Sequence, residues 1–161
     1  MNVDLPRLGD AVAIARVAQD AGVFTTEELK VVQEMVDAYF NPEPRDDHTF
    51  VVFRNGDPNA IAGFACYGPT PLAQGIWDLY WICVDRAQQA NGYGGVLLRE
   101  IENRVRAQKG RAVYLETSSS SDYQRARDFY QRNGYECVAR LSDFYALGED
   151  KIVYRKVLQR D

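Results

Sequence analysis

The segment of this chain with the most chemical promise is Gln89-Ala90-Asn91-Gly92-Tyr93-Gly94, with Gly95 directly after it. Closely spaced glycines let a backbone bend its N–H groups toward one point. A helix starting there adds unpaired donors and about half a positive charge. A phosphate or pyrophosphate is the natural guest of such a turn. The dinucleotide fingerprint fails, because its third glycine would have to stand at Leu97. The Gly-Lys-Ser/Thr of a nucleotide P-loop is absent. What remains is Gln/Arg-x-x-Gly-x-Gly/Ala, met by Gln89, Gly92 and Gly94. A tight strand-to-helix turn with no ligand would use the same residues.

Other reactive side chains are sparse. Cys66, Cys83 and Cys137 each sit in an apolar, strand-like run and read as buried free thiols rather than a disulfide framework. The single histidine, His48, stands beside Asp46 and Asp47 and reads as a loop residue. A histidine-based zinc site, catalytic triad or proton shuttle therefore has little to work with, and no metal is expected. Lys and Arg total 19 against 23 Asp and Glu, a net charge of −4, which argues against broad binding to nucleic acid or anionic membrane. The opening MNVDLPRLGD has no apolar run of the signal-peptide kind. The uncharged stretch Ala60–Trp77 is broken by Gly63, Gly68, Pro69, Pro71 and Gly75. The expectation is a soluble, cytoplasmic protein.

The elements that must hold the turn follow from hydrophobic period. With 161 residues, 46% hydrophobic and 26% charged, the chain suits one globular domain over 1–161. Residues 10–21 read as a helix with Asp10 as N-cap and Val12, Ile14, Ala15, Val17 and Ala18 inward. Residues 26–40 read as a second helix, opened by a Thr25–Glu28 capping box and ended by Asn41-Pro42. Strands are expected at 49–54, 60–67 and 77–84. The last, WDLYWICV, is aromatic on both faces and so central. A helix over 93–108 carries Leu97, Leu98, Ile101 and Val105 inward, with Glu100–Arg104 and Glu102–Arg106 pairs on its wet side. A strand at 112–117, a helix at 122–133 capped by Ser121 or Asp122 and stopped by Gly134, and strands at 135–141 and 152–158 complete the chain. The order is that of a three-layer α/β sandwich with a mixed sheet.

With the turn placed between a buried strand and an amphipathic helix, the chain resembles the GNAT superfamily of acyl-CoA N-acyltransferases, most sharply from Trp77 to Tyr135. The run Ala126-Arg-Asp-Phe129-Tyr130-Gln-Arg-Asn-Gly134-Tyr135 is similar to that family's A-x-x-hydrophobic-Y-x-x-x-G-aromatic helix. Arg86, Ala90 and Tyr123 depart from its usual Pro, Gly and Asn. The first strand usual in the family is poorly marked before residue 8. The resemblance implies a mixed, mostly antiparallel sheet of six to seven strands with about four helices. It also implies acetyl-CoA as cosubstrate, with its pyrophosphate on Gln89, Ala90, Asn91, Gly92, Tyr93, Gly94 and Gly95. Ile82, Cys83, Val84 and Tyr123 would lie along the pantetheine, and the N–H of Cys83 or Val84 would polarise the thioester carbonyl.

The resemblance further implies acetyl transfer to a primary amine by direct attack in a ternary complex. A catalytically silent acyl-CoA-binding module is the alternative. Tyr130 would be the general acid at the leaving thiolate and Glu116 the base, acting through water, with Asp78 its rival. From spacing alone, Tyr130 is equally a core aromatic. Asp78, Tyr80 and Tyr145 are the expected acceptor-binding residues, with Asp143, Phe144, Glu149 and Asp150 between the last two strands and Tyr39 and Phe40 nearby. Carboxylates with aromatic faces suit an ammonium group. The acceptor would be a small-molecule or peptide amine, and a homodimer fits the resemblance.

Overall fold

The structure, a computed structural model, describes residues 2–41 and 47–158; Pro42 and Asp46, noted above, lie outside them. Seven strands form one sheet in the order β1-β2-β3-β4-β5-β7-β6. They are β1 (Asn2–Asp4), β2 (Thr49–Arg54), β3 (Gly63–Pro69), β4 (Ile76–Val84), β5 (Ala112–Ser118), β6 (Glu136–Ala146) and β7 (Glu149–Val157). Only β4 and β5 run parallel. Four helices, α1 (Ala11–Asp20), α2 (Thr26–Phe40), α3 (Tyr93–Ala107) and α4 (Gln124–Arg132), flank the sheet. The mixed α/β sandwich is as expected, and β4 is its middle strand. No helix among the described residues is long and apolar enough to cross a membrane.

Two buried clusters define the layers. Ile14, Val17, Val32 and Val36 of α1 and α2 pack with Phe50, Val52 and Phe64 on one face. Leu97, Leu98, Ile101 and Val105 of α3 pack with Val51, Val113, Leu115 and Tyr130 on the other. The capping box of α2 forms as expected: the Glu28 amide donates to Thr25 Oγ1 at 3.2 Å and the Thr25 amide to Glu28 Oε2 at 2.7 Å.

Several expectations are corrected. A first strand exists at Asn2–Asp4, three residues held by pairing with β2 and too short to show a period. Asp10 takes the N-cap position of α1 as expected, but its side chain makes no capping bond there; its carboxylate accepts from the Arg7 amide and the buried Arg54 guanidinium. Val12 is 81% exposed rather than inward. Glu102 is buried, because Lys156 reaches it from β7 at 2.8 Å. The fourth helix is shorter, since Ser121–Tyr123 form a 3-10 turn before it and neither Ser121 nor Asp122 caps it. The last two strands extend into a long hairpin turning at Leu147-Gly148, so Asp143, Phe144 and Tyr145 belong to β6 and Glu149 and Asp150 to β7. Cys137 is exposed because β6 is an edge strand open on both faces; Cys66 and Cys83 are buried.

Two irregularities open the middle of the sheet. Cys66 pairs with Trp81 but Tyr67 with Leu79, so Tyr80 is an extra, bulged residue of β4. The bulge inverts the alternation: Trp77 and Leu79 face α3 before it, and Ile82 and Val84 after it. On its other side β4 pairs with β5 only over Ile76–Asp78 against Ala112–Tyr114, and the two strands then separate.

Candidate active site

A cavity of about 1720 Å3 occupies the gap between β4 and β5 and continues between α3 and α4. At its α3 end, Ala90 and Gly92 adopt left-handed φ angles of 66° and 79°. Gly92 takes the N-cap position with no side-chain cap, so the first amides of α3 are left for a guest. Gln89 turns its side chain back to donate to the Val84 carbonyl at 3.2 Å, fastening the turn to β4. Asn91 bonds the Gln88 carbonyl at 3.1 Å and does not line the cavity. The Tyr93 ring lies 4.6 Å from that of Phe53, in the core. A Cβ on Gly94 would come within 3.2 Å of the Phe129 ring, so glycine sets how closely α3 and α4 approach.

Arg99, Arg125 and Arg132 also line this end. Sequence reading missed them, although Arg125 and Arg132 stand seven apart on α4 and so share a face.

At the middle of the cavity, the Asp85 amide donates to Ala62 on the β3 side at 2.9 Å. Strand alternation turns the Cys83 amide the same way and points those of Ile82 and Val84 into the gap. Of the two amides named above, Val84 is therefore the better placed. The Cys83 thiol is pushed up to about 12 by burial and by Asp85, and it donates to the Val17 carbonyl, which makes it a packing residue. Tyr130 is 9% exposed and lines the cavity, with the Phe129, Tyr135 and Tyr154 rings at 5.4–6.1 Å. Its hydroxyl has no hydrogen-bond partner among the described residues. Burial, and secondarily Cys83, raises its pKa, so it stays a phenol.

The far end is acidic and aromatic. Asp78 accepts from Thr70 Oγ1 at 2.7 Å, and Tyr80 stands 40% exposed on the bulge. Glu116 pairs with Lys151 at 2.7 Å, and that ammonium sits 3.8 Å over the Phe144 ring. Tyr145 is raised to about 12 by burial, then by Glu116, Glu28 and Glu149. Glu28, which sequence reading took only as a cap, accepts from the Tyr123 hydroxyl at 2.8 Å. Tyr123 thus bonds across the cavity to α2. Tyr39 and Phe40 lie elsewhere, Tyr39 against Phe50 and His48. Asp150 is tied to Arg140 and the Asp143 amide, which lower its pKa, and Asp143, Phe144 and Asp150 do not line the cavity.

One cavity therefore has uncapped amides and three arginines, with Asp128 among them, at one end, carboxylates and aromatics at the other, and a buried phenol between them. A CoA-like anion fits the first end by charge and by its uncapped amides.

No curated protein matches the sequence. A solved structure of a GNAT-family protein from Desulfovibrio desulfuricans is 38% identical, covers 98% of this chain and 100% of its own, and superposes with a TM-score of 0.91. An aminoglycoside 6'-N-acetyltransferase complexed with coenzyme A (17% identity, 100% and 99% coverage, TM-score 0.76) shares the fold. So does the ribosomal-protein-S18-alanine N-acetyltransferase of Escherichia coli (19%, 99% and 95%, TM-score 0.73). The profile of the Acetyltransferase (GNAT) family matches residues 16–135, and the chain belongs to that family of acetyltransferases.

Proposed function

We propose that the protein moves an acetyl group from acetyl-CoA to a primary amine by direct attack within a ternary complex. The observation that carries this reading is the opposed polarity of one cavity. Arg99, Arg125, Arg132 and the open amides of α3 suit an anionic cosubstrate, and Asp78, Glu28, Glu116 and Glu149 suit a cationic acceptor. Gln89, Ala90 and Gly92–Gly95 hold the pyrophosphate by their backbone, and Asn91 stands outside the cavity. The separated edge of β4 offers the Val84 amide to the thioester oxygen. Tyr130, held as a phenol, gives its proton to the leaving thiolate. Glu116 takes the amine's proton through water, with Asp78 as the other carboxylate in reach of the gap. Tyr80 and Tyr145 supply aromatic faces to the ammonium. Most of the acceleration comes from fixing the two substrates against each other.

The test is a thiol-release assay with acetyl-CoA across a panel of small amines, amino acids and peptides. Amine-dependent release with an acetylated product supports the reading. A protein that binds coenzyme A but acetylates no member of the panel is instead a silent acyl-CoA-binding module.

A further inference from the structure

The acceptor end of the cavity does not stop at the carboxylates. Val113 and Leu115 face α3, so the alternate β5 residues Tyr114 and Glu116 lie on the opposite face of the sheet. Helices α1 and α2 make their main contacts with that face at β2, β3 and β4. A second cavity of about 420 Å3 lies over β5 and β7, lined by Arg155 and sharing Ile76, Arg111 and Tyr114 with the first. Ladder pairing puts Asp78 beside Tyr114 and Tyr114 beside Arg155. The three form one row across β4, β5 and β7, with roughly 10 Å between the outer backbones at ordinary strand spacing.

The charges along the row change sign. Asp78, with Glu116 next along β5, is the anionic end, and Tyr114 is the aromatic floor. Arg155 is the cationic end, with Arg111 beside it. Arg155 is incompletely satisfied: its Nε is buried without a hydrogen-bond partner. Among the described residues its ion pair is to Glu136 at 3.7 Å, and that carboxylate is 77% exposed. A long, wet pair of this kind contributes little and yields readily to a better ligand. A carboxylate lying in the guanidinium plane would satisfy the orphaned Nε by a charge-assisted bond.

We propose that the acceptor is an amino-carboxylate. Its amine lies at the Asp78 and Glu116 end, its chain crosses Tyr114, and its carboxylate is taken by Arg155 with Arg111 alongside. This rests on the amine-acetylating reading above and names the substrate class that this site selects.

The experiment uses matched pairs: 4-aminobutyrate, 6-aminohexanoate and dialanine, each against its C-terminal amide. Each is titrated by calorimetry into the protein loaded with coenzyme A, and each is assayed for thiol release with acetyl-CoA. At least one free acid should bind tenfold to a hundredfold more tightly than its amide, the range for one charge-assisted contact. Arg155→Gln should bring that ratio close to one, and Arg155→Lys should keep part of it. Equal binding of every acid and its amide to the native protein overturns the proposal. So does a ratio that survives in folded Arg155→Gln protein. Thiol release without acid preference overturns the carboxylate subsite and leaves acetyl transfer standing. Acid-selective binding without thiol release supports the subsite and overturns the transfer reading.

Discussion

The Tyr123 hydroxyl, on the α4 side of the cavity, donates to both carboxylate oxygens of Glu28 on α2, at 2.8 and 2.9 Å. The same carboxylate accepts from the Thr25 amide, so one group caps a helix and spans the acceptor end of the cavity. Tyr123→Phe leaves the cap intact and removes the span. Loss of about 1 kcal/mol is expected, a fall of about 2–4 °C in Tm for a chain this long. The acceptor KM should rise several-fold while coenzyme A affinity changes less than twofold. Steady-state kinetics and calorimetry check this; a weakened coenzyme A site would instead place Tyr123 on the pantetheine.

The cosubstrate end is expected to act through charge. Arg125→Gln together with Arg132→Gln removes two exposed cations from one face of α4 and should leave Tm nearly unchanged. The Kd for coenzyme A should rise by about tenfold, and its dependence on salt should flatten. Titrations at low and high ionic strength read both effects.

Stability should have an alkaline limit set by the core. Burial raises the pKa of Tyr130, Tyr135 and the Cys66 thiol, and that of Cys83 to about 12. These groups ionise earlier in the unfolded chain than in the folded one. Above about pH 9 the unfolded state therefore binds fewer protons, and stability falls as pH rises. Urea midpoints should be flat from neutrality to about pH 9 and then drop. A midpoint unchanged at pH 11 would contradict the assigned burial.

Glu116→Gln should lower turnover by about a hundredfold at pH values well below the acceptor's own pKa, where the amine must lose a proton. The defect should shrink as pH approaches that pKa. A loss that is uniform with pH would point to Glu116 as an electrostatic anchor for the ammonium.

Where chemistry and local period coincide, the sequence was readable. Helix α2 runs over the expected residues because Thr25, Glu28 and an apolar stripe all specify it. The turn after β4 is legible because Gly92 takes left-handed backbone at no steric cost, although Ala90 takes it too. The features that were hidden depend on partners distant in sequence. The Tyr80 bulge cannot be seen in WDLYWICV, where aromatics stand on either side of it. Glu102 lies on a helix position that looks wet until Lys156 of β7 is placed against it. Glu28 reads as a cap, and only the folded chain brings Tyr123 to it. Cys137 sits in an apolar run, but edge position decides its exposure.

The most direct test of the account is the turnover number of Tyr130→Phe, measured with acetyl-CoA and an accepted amine under conditions where chemistry limits the rate. The substitution keeps a buried ring among Phe129, Tyr135 and Tyr154 and removes only the unpartnered hydroxyl. The predicted result is a fall of about a hundredfold in kcat with coenzyme A affinity within a few-fold of native, the signature of an interaction made in the transition state. A kcat equal to that of the native protein would contradict it and leave Tyr130 a core aromatic.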